Sequence, residues 1–196
     1  MALTGRGAAH YRPDVRWRRK QTPQPDASAS PSPDAPDQGP PGPEVPGPQD
    51  QAQVLDDLRR VVDRFGWAVL HGGGSGTGDP RWSYTVGLSG LGHPEVIVVG
   101  LPFEAAETYL NLVGEAVRAG ARFSPGVVTT ALTDADSPVV FLEVADTDRL
   151  AVAEQFAGSV DALQLVWPDS TGKLPWEEGH LNPPHAQPLL GPRPEG

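Results

Sequence analysis

Apolar residues recur at helical spacing from Val54: Val54, Leu55, Leu58, Val61, Val62 and Phe65, with Gly66 ending the run. This periodicity predicts an amphipathic helix, and Asp50 with Gln53 three residues later offers it a capping box. WAVLHG then reads as a short apolar strand. After the glycine-rich HGGGSGTGDP, a second strand alternates Trp82, Tyr84, Val86 and Leu88 with Ser83, Thr85 and Gly87. These two strands are expected to form a hairpin with a long connection. EVIVVGL reads as a strand with both faces covered. Beyond Pro102, Ala106, Tyr109, Leu110, Val113, Ala116 and Val117 share one helical face, and Gly120 stops that helix. Strand, helix and a further strand predict a crossover. VVTTAL and PVVFLEV flank the turn TDADS as another hairpin. A shorter helix, capped by Asp146 or Thr147, turns Leu150, Ala153, Phe156 and Ala157 inward. ALQLVW is the last strand, because Trp167 before Pro168 is held extended; Gln187, Pro188 and Leu189 are expected to dock on the body. The sum is an α+β fold: one domain with a mixed, mainly antiparallel sheet and two or three helices packed on it.

Composition divides the chain. Ten of the thirty residues from Gln21 to Asp50 are proline, and Val45 is the one bulky apolar side chain among them. Such a stretch cannot bury enough surface to offset the entropy of ordering it. We therefore expect a disordered tail over 1–50, the folded domain over 51–191 and a frayed end over 192–196. Residues 1–20 carry six basic and one acidic side chain, residues 21–50 five acidic and no basic ones, and residues 51–196 nine basic and nineteen acidic. The net charge of −10 therefore belongs to the folded part. A body this acidic repels phosphate backbones, which argues against nucleic acid as a partner. No apolar run approaches the ~20 residues that span a bilayer, and the first twenty residues lack the apolar core of a secretory signal. A cytoplasmic protein without membrane contact is expected. Cysteine is absent, so disulfides and thiolate chemistry are excluded. Thirteen Arg against two Lys resembles GC-rich bacterial usage.

Several familiar chemistries fail on detail. GGGSGTG does not fit G-x-G-x-x-G, no Lys-Ser or Lys-Thr follows, and a strand comes next where a phosphate loop needs a helix. GLSGL misses the nucleophile elbow because Leu91 stands in place of its second glycine, so Ser89 reads as a turn residue. His180 and His185 are five apart and bracket Asn182-Pro183-Pro184, which cannot be helical. Neither a metal nor a cofactor is expected. The basic HYRPDVRWRRK lacks an amphipathic repeat and reads as a solvated tail, or as an extension upstream of the true start.

What ordinary packing does not demand is a set of proline-stiffened polar and aromatic positions. His93 and Glu95 flank Pro94, while WPD and PWE each join an aromatic, a proline and a carboxylate. Loops of this kind on a rigid scaffold commonly carry function. The expectation is a binding or interaction module for a small ligand or protein partner. The YTVGL, GHPE, WPD and PWE segments would gather in one cleft lined by Tyr84, His93, Glu95, Trp167, Asp169, Trp176 and Glu177. One alternative is a hydrolase or transferase with His93 as general base and Glu95, Asp169 or Glu177 as its carboxylate partner. Another is an acidic immunity or regulatory protein docking on a basic partner.

WSYTVGL, GHPEVIVVGLP, VRAGARFSPG, LQLVWPD, LPWEEG and QPLL, in that order, resemble the bacterial family known as domain of unknown function 4262. The likeness spans roughly residues 51 to 191. It brings no activity, substrate or ligand with it, and the long Pro-rich tail departs from the family's usual pattern, in which the domain starts near the N-terminus.

Overall fold

The computed structural model describes residues 48–74, 80–132 and 137–193; the tail before Pro48, residues 75–79, most of the TDADS turn and the last three residues lie outside the described residues. Helix α1 spans Pro48–Phe65, so it begins two residues before the Asp50 at which the sequence pattern placed its start. A proline at the first helical position loses no hydrogen bond, because that N–H has no intrahelical acceptor. Strands β1 (Ala68–Gly72) and β2 (Trp82–Val86) form the expected antiparallel hairpin. A single 3₁₀ turn over Leu88–Leu91 leads to β3 (Glu95–Val99), and α2 follows as Phe103–Arg118. Strands β4 (Val128–Thr129) and β5 (Val139–Glu143), helix α3 (Ala151–Ala157) and β6 (Ala162–Val166) complete the domain. VVTTAL thus contributes only two residues to the sheet.

The six strands lie in the order β1-β2-β3-β6-β5-β4. Strands β3 and β6 run parallel, with Glu95 opposite Ala162, while the other neighbours are antiparallel. The strand after α2 therefore runs parallel to β3, as the crossover reading had it, but is not its neighbour. It lies at the far edge, and β3 instead pairs with the strand that comes last.

Both faces of the sheet are covered. On one, α2 lays Ala106, Leu110, Val113 and Val117 over Val69, Val96, Val98, Leu163, Leu165 and Phe141. Gly114 lets this helix come down on the Trp67 indole, since a Cβ there would stand 2.2 Å from the ring. Asn111 Oδ1 accepts the indole N–H at 3.1 Å, so the ring's polar edge is met as well. On the other face, Leu58 of α1 and Ala153 of α3 pack with Leu150 against Leu70, Tyr84, Val86, Ile97 and Val99. Each Val, Leu, Ile or Phe among them contributes about 1.5–3 kcal/mol of burial. Val54 stays 40% exposed on α1, and Ala157, expected inward, faces solvent. The period of two along β2 does not separate inside from outside, because Ser83 and Thr85 are as buried as Tyr84 and Val86.

The C-terminal segment is stitched to the sheet by two glutamines. Gln164 Nε2 donates to Pro188 O and its Oε1 accepts from Leu190 N; Gln187 Oε1 accepts from Trp167 N and its Nε2 donates to Trp167 O. Each side-chain amide takes the place of a neighbouring strand's peptide group. This is the docking of Gln187 to Leu189 that the sequence suggested.

Candidate functional site

The strand directions decide which nominated residues can meet. Strand β2 runs against β3, so the end of YTVGL lies beside the start of β3, where GHPE is. WPD leaves the other end of β6, beside Val99, and the Trp167 indole N–H donates to Val99 O at 2.9 Å. A five-residue strand is ~16 Å long. The nominated set therefore divides between opposite ends of the sheet.

At the first end the polar groups are spent on the chain itself. Glu95 is 1% exposed, and its carboxylate accepts from the Thr85 hydroxyl at 2.7 Å and from the amides of Gly87, Leu88 and Ser89 at 2.9, 3.3 and 3.1 Å. It thereby closes the 3₁₀ turn, whose first amides have no other acceptor. Burial pushes its carboxyl above the ordinary value, opposed by the Thr85 hydroxyl and the Ser89 and Gly87 amides. His93 is 2% exposed; its Nδ1 lies 2.7 Å from Pro94 O and its Nε2 accepts from Phe123 N at 3.0 Å. A carbonyl on one side and an N–H on the other fix the neutral Nδ1–H tautomer. Tyr84 packs in the core beneath α3, and burial raises its phenol to about 12, against the hydrogen bond with the Val152 backbone.

Burial depresses the His93 pKa from 6.5, opposed by the Pro94 hydrogen bond and aided by Arg122. The native state therefore prefers the neutral ring. Its contribution to stability is complete above pH 6.5 and falls as the pH drops below it. Urea unfolding midpoints should decline from pH 6.5 toward pH 5, about where free histidine protonates, and the decline should flatten in His93→Asn. An unchanged pH slope in the variant would assign the acid sensitivity to another group.

The second end is likewise built on buried acceptors. Asp169 Oδ1 takes hydrogen bonds from Thr171 N, Thr171 Oγ1 and Lys173 N, and Oδ2 one from Leu181 N at 2.6 Å. Desolvation alone would raise its pKa, but the Thr171 hydroxyl and these backbone amides outweigh it and hold the carboxyl well below the usual range. His180 Nδ1 donates to Lys173 O, and Glu177 closes the PWE turn through Leu174 N. Trp176 packs on Val140, Leu142, Val166 and Leu174. Asp169 thus folds the loop that carries PWE; Glu177 itself remains exposed.

A third cluster was not among the nominated residues. His71 and Ser83 face each other across the β1–β2 ladder, with Nδ1 and Oγ 2.7 Å apart. The His71 ring lies against Phe103 at the start of α2, ring centres 4.8 Å apart, and the Arg81 guanidinium sits 5.4 Å from the same aromatic centre. Glu107, one turn beyond Phe103, is 8% exposed on the otherwise apolar stripe of α2. A carboxylate in that stripe and a histidine closing an apolar strand were the available sequence signals. The pairing of His71 with Ser83 depended on a hairpin register that the loop's composition does not reveal. Among the described residues no group of three His, Cys, Asp or Glu is placed to hold a metal ion, and no helix is long and apolar enough to cross a membrane.

Comparison with curated proteins and with solved structures returns no match. A family model described as Domain of unknown function (DUF4262) matches residues 61–181, which hold β1 through β6, GHPE, WPD, PWE and the His71 cluster. With more than half of its length so matched, the chain belongs to the DUF4262 family.

Proposed function

We propose that the domain is a binding module, and that its ligand meets the rim where β1 ends, β2 begins and α2 starts. The observation that carries this reading is the contact set of Arg81, Phe103 and His71. An exposed guanidinium and a half-buried imidazole both touch one aromatic ring, whereas the polar atoms of His93, Glu95 and Asp169 are taken up by backbone groups and hydroxyls around them. A cation beside an aromatic face suits a small planar anion such as an aromatic carboxylate, which a guanidinium can hold through two hydrogen bonds against the net charge of the body. The alternative of an acidic immunity or regulatory protein docking on a basic partner keeps its charge argument, nineteen acidic against nine basic side chains over residues 51–196, but gains no contact set of this kind.

Titrating the ¹⁵N-labelled chain with benzoate should shift the amides of residues 71, 81, 83 and 103. Arg81→Ala, an exposed change, should weaken that binding about tenfold and leave the melting temperature near that of the parent. Shifts confined to other parts of the domain, or equal affinity in the variant, would overturn the assignment.

A further inference from the structure

We propose that Ser83 and His71 form a nucleophile and general-base pair, so that the rim's ligand is a small carboxylic ester which the domain hydrolyses; this rests on the rim being a ligand site. The two side chains are directly opposed across the hairpin and 2.7 Å apart, within the reach proton transfer requires. Thr85 is spent between Val96 N and the sealed Glu95 carboxylate, and Gln164 holds the peptide groups of Pro188 and Leu190. Ser83 Oγ instead meets a titratable ring, and that ring is half-buried at the rim. Phe103 supports the imidazole on one side, and the α2 stripe places the Glu107 carboxylate one turn further along the same helix face.

The chemistry follows from these positions. With the ring proton on Nε2, the Ser83 hydroxyl donates to Nδ1. Oγ adds to the ester carbonyl carbon as its proton passes to His71. The bond to the alcohol oxygen then breaks, and that oxygen takes the proton from His71. Water adds to the resulting acyl-serine with His71 again accepting a proton, the bond to Oγ breaks as Oγ takes that proton from His71, and the acid leaves with both Ser83 and His71 restored. Ser83 is fully buried beside the half-buried ring, so an ester would reach Oγ only as the side chains of the rim move aside, and the proposed acyl group is the small acetyl.

The full-length chain should be acetylated by p-nitrophenyl acetate at Ser83, located by peptide mass spectrometry, with a burst of nitrophenolate approaching one per chain. Ser83→Ala should abolish the burst, and His71→Ala should slow it about 10²-fold; melting curves show whether each variant is folded. If Ser83→Ala melts early, Ser83→Cys supplies the second measurement, with the acyl group moving to the cysteine. Acetylation that persists in folded Ser83→Ala, or proceeds at the parent rate in folded His71→Ala, overturns the pair. No acetylation of the parent chain, with the benzoate shifts intact, overturns the pair and leaves the binding site standing; loss of both overturns both.

Discussion

Replacing Glu95 by alanine should remove about 3–5 kcal/mol of folding free energy and lower the melting temperature by roughly 10 °C or more. The side chain is sealed from solvent and answers four donors at once: the Thr85 hydroxyl and the amides of Gly87, Leu88 and Ser89. Alanine leaves three buried or half-buried amides without an acceptor, and each orphaned donor costs about 1–3 kcal/mol. The Thr85 hydroxyl can turn toward other acceptors; backbone amides cannot. Glu95→Gln should fall between the two, since one amide oxygen still serves Gly87 and Ser89 while its NH₂ meets the Leu88 amide as donor against donor. Thermal denaturation of the three proteins checks the order. A Glu95→Ala variant that melts within about 2 °C of the parent, under 1 kcal/mol for a domain of this size, would show that water replaces the carboxylate and that the turn does not depend on it.

Gly100→Ala should be nearly as damaging, for a different reason. Gly100 has φ +89, and a Cβ there would lie 1.8 Å from the Ala186 carbonyl oxygen and 3.4 Å from the Trp167 ring. The left-handed backbone alone costs a side-chain-bearing residue about 1–2 kcal/mol. The clash is with backbone, so no rotamer change relieves it. Either Gly100 shifts, straining its hydrogen bond to Arg81 O, or the segment around Ala186 lifts and takes Gln187 from Trp167. Both routes predict a melting temperature lower by roughly 8–10 °C. Limited proteolysis separates them, since a lifted segment is cut between residues 184 and 190 before the domain unfolds. Parental melting together with parental protease resistance would mean that the close approach of Gly100 to Ala186 is not maintained in solution.

The elements were legible because their apolar spacing is strong: α2 buries the stripe that its sequence displays, and β3 is covered on both faces as EVIVVGL implied. The polar positions were harder. GHPE and WPD look like the rims of a site because proline, carboxylate and ring recur there, yet the same composition serves a turn that must satisfy its own amides, as Glu95 and Asp169 do. Nothing in a single chain distinguishes a carboxylate turned toward solvent from one turned toward three N–H groups. Ser83 and Thr85 posed the opposite problem. Their alternation with aromatic residues reads as a wet face, but α2 covers that face. Topology carried the rest. Placing WPD at the opposite end from GHPE required knowing that β3 and β6 run parallel, a pairing set by residues more than sixty positions apart.

That late pairing governs how the protein is made. Strands β1 to β3 and strands β4 and β5 sit on opposite sides of β6, and β6 is the last of the six to leave the ribosome. Without β6 nothing joins β3 to β5, and the inner edge of each of these apolar strands has no partner. The closing strand therefore joins the halves only after the other five have been made, and a polypeptide cut short before it would expose the unpaired borders of β3 and β5 and be prone to aggregate.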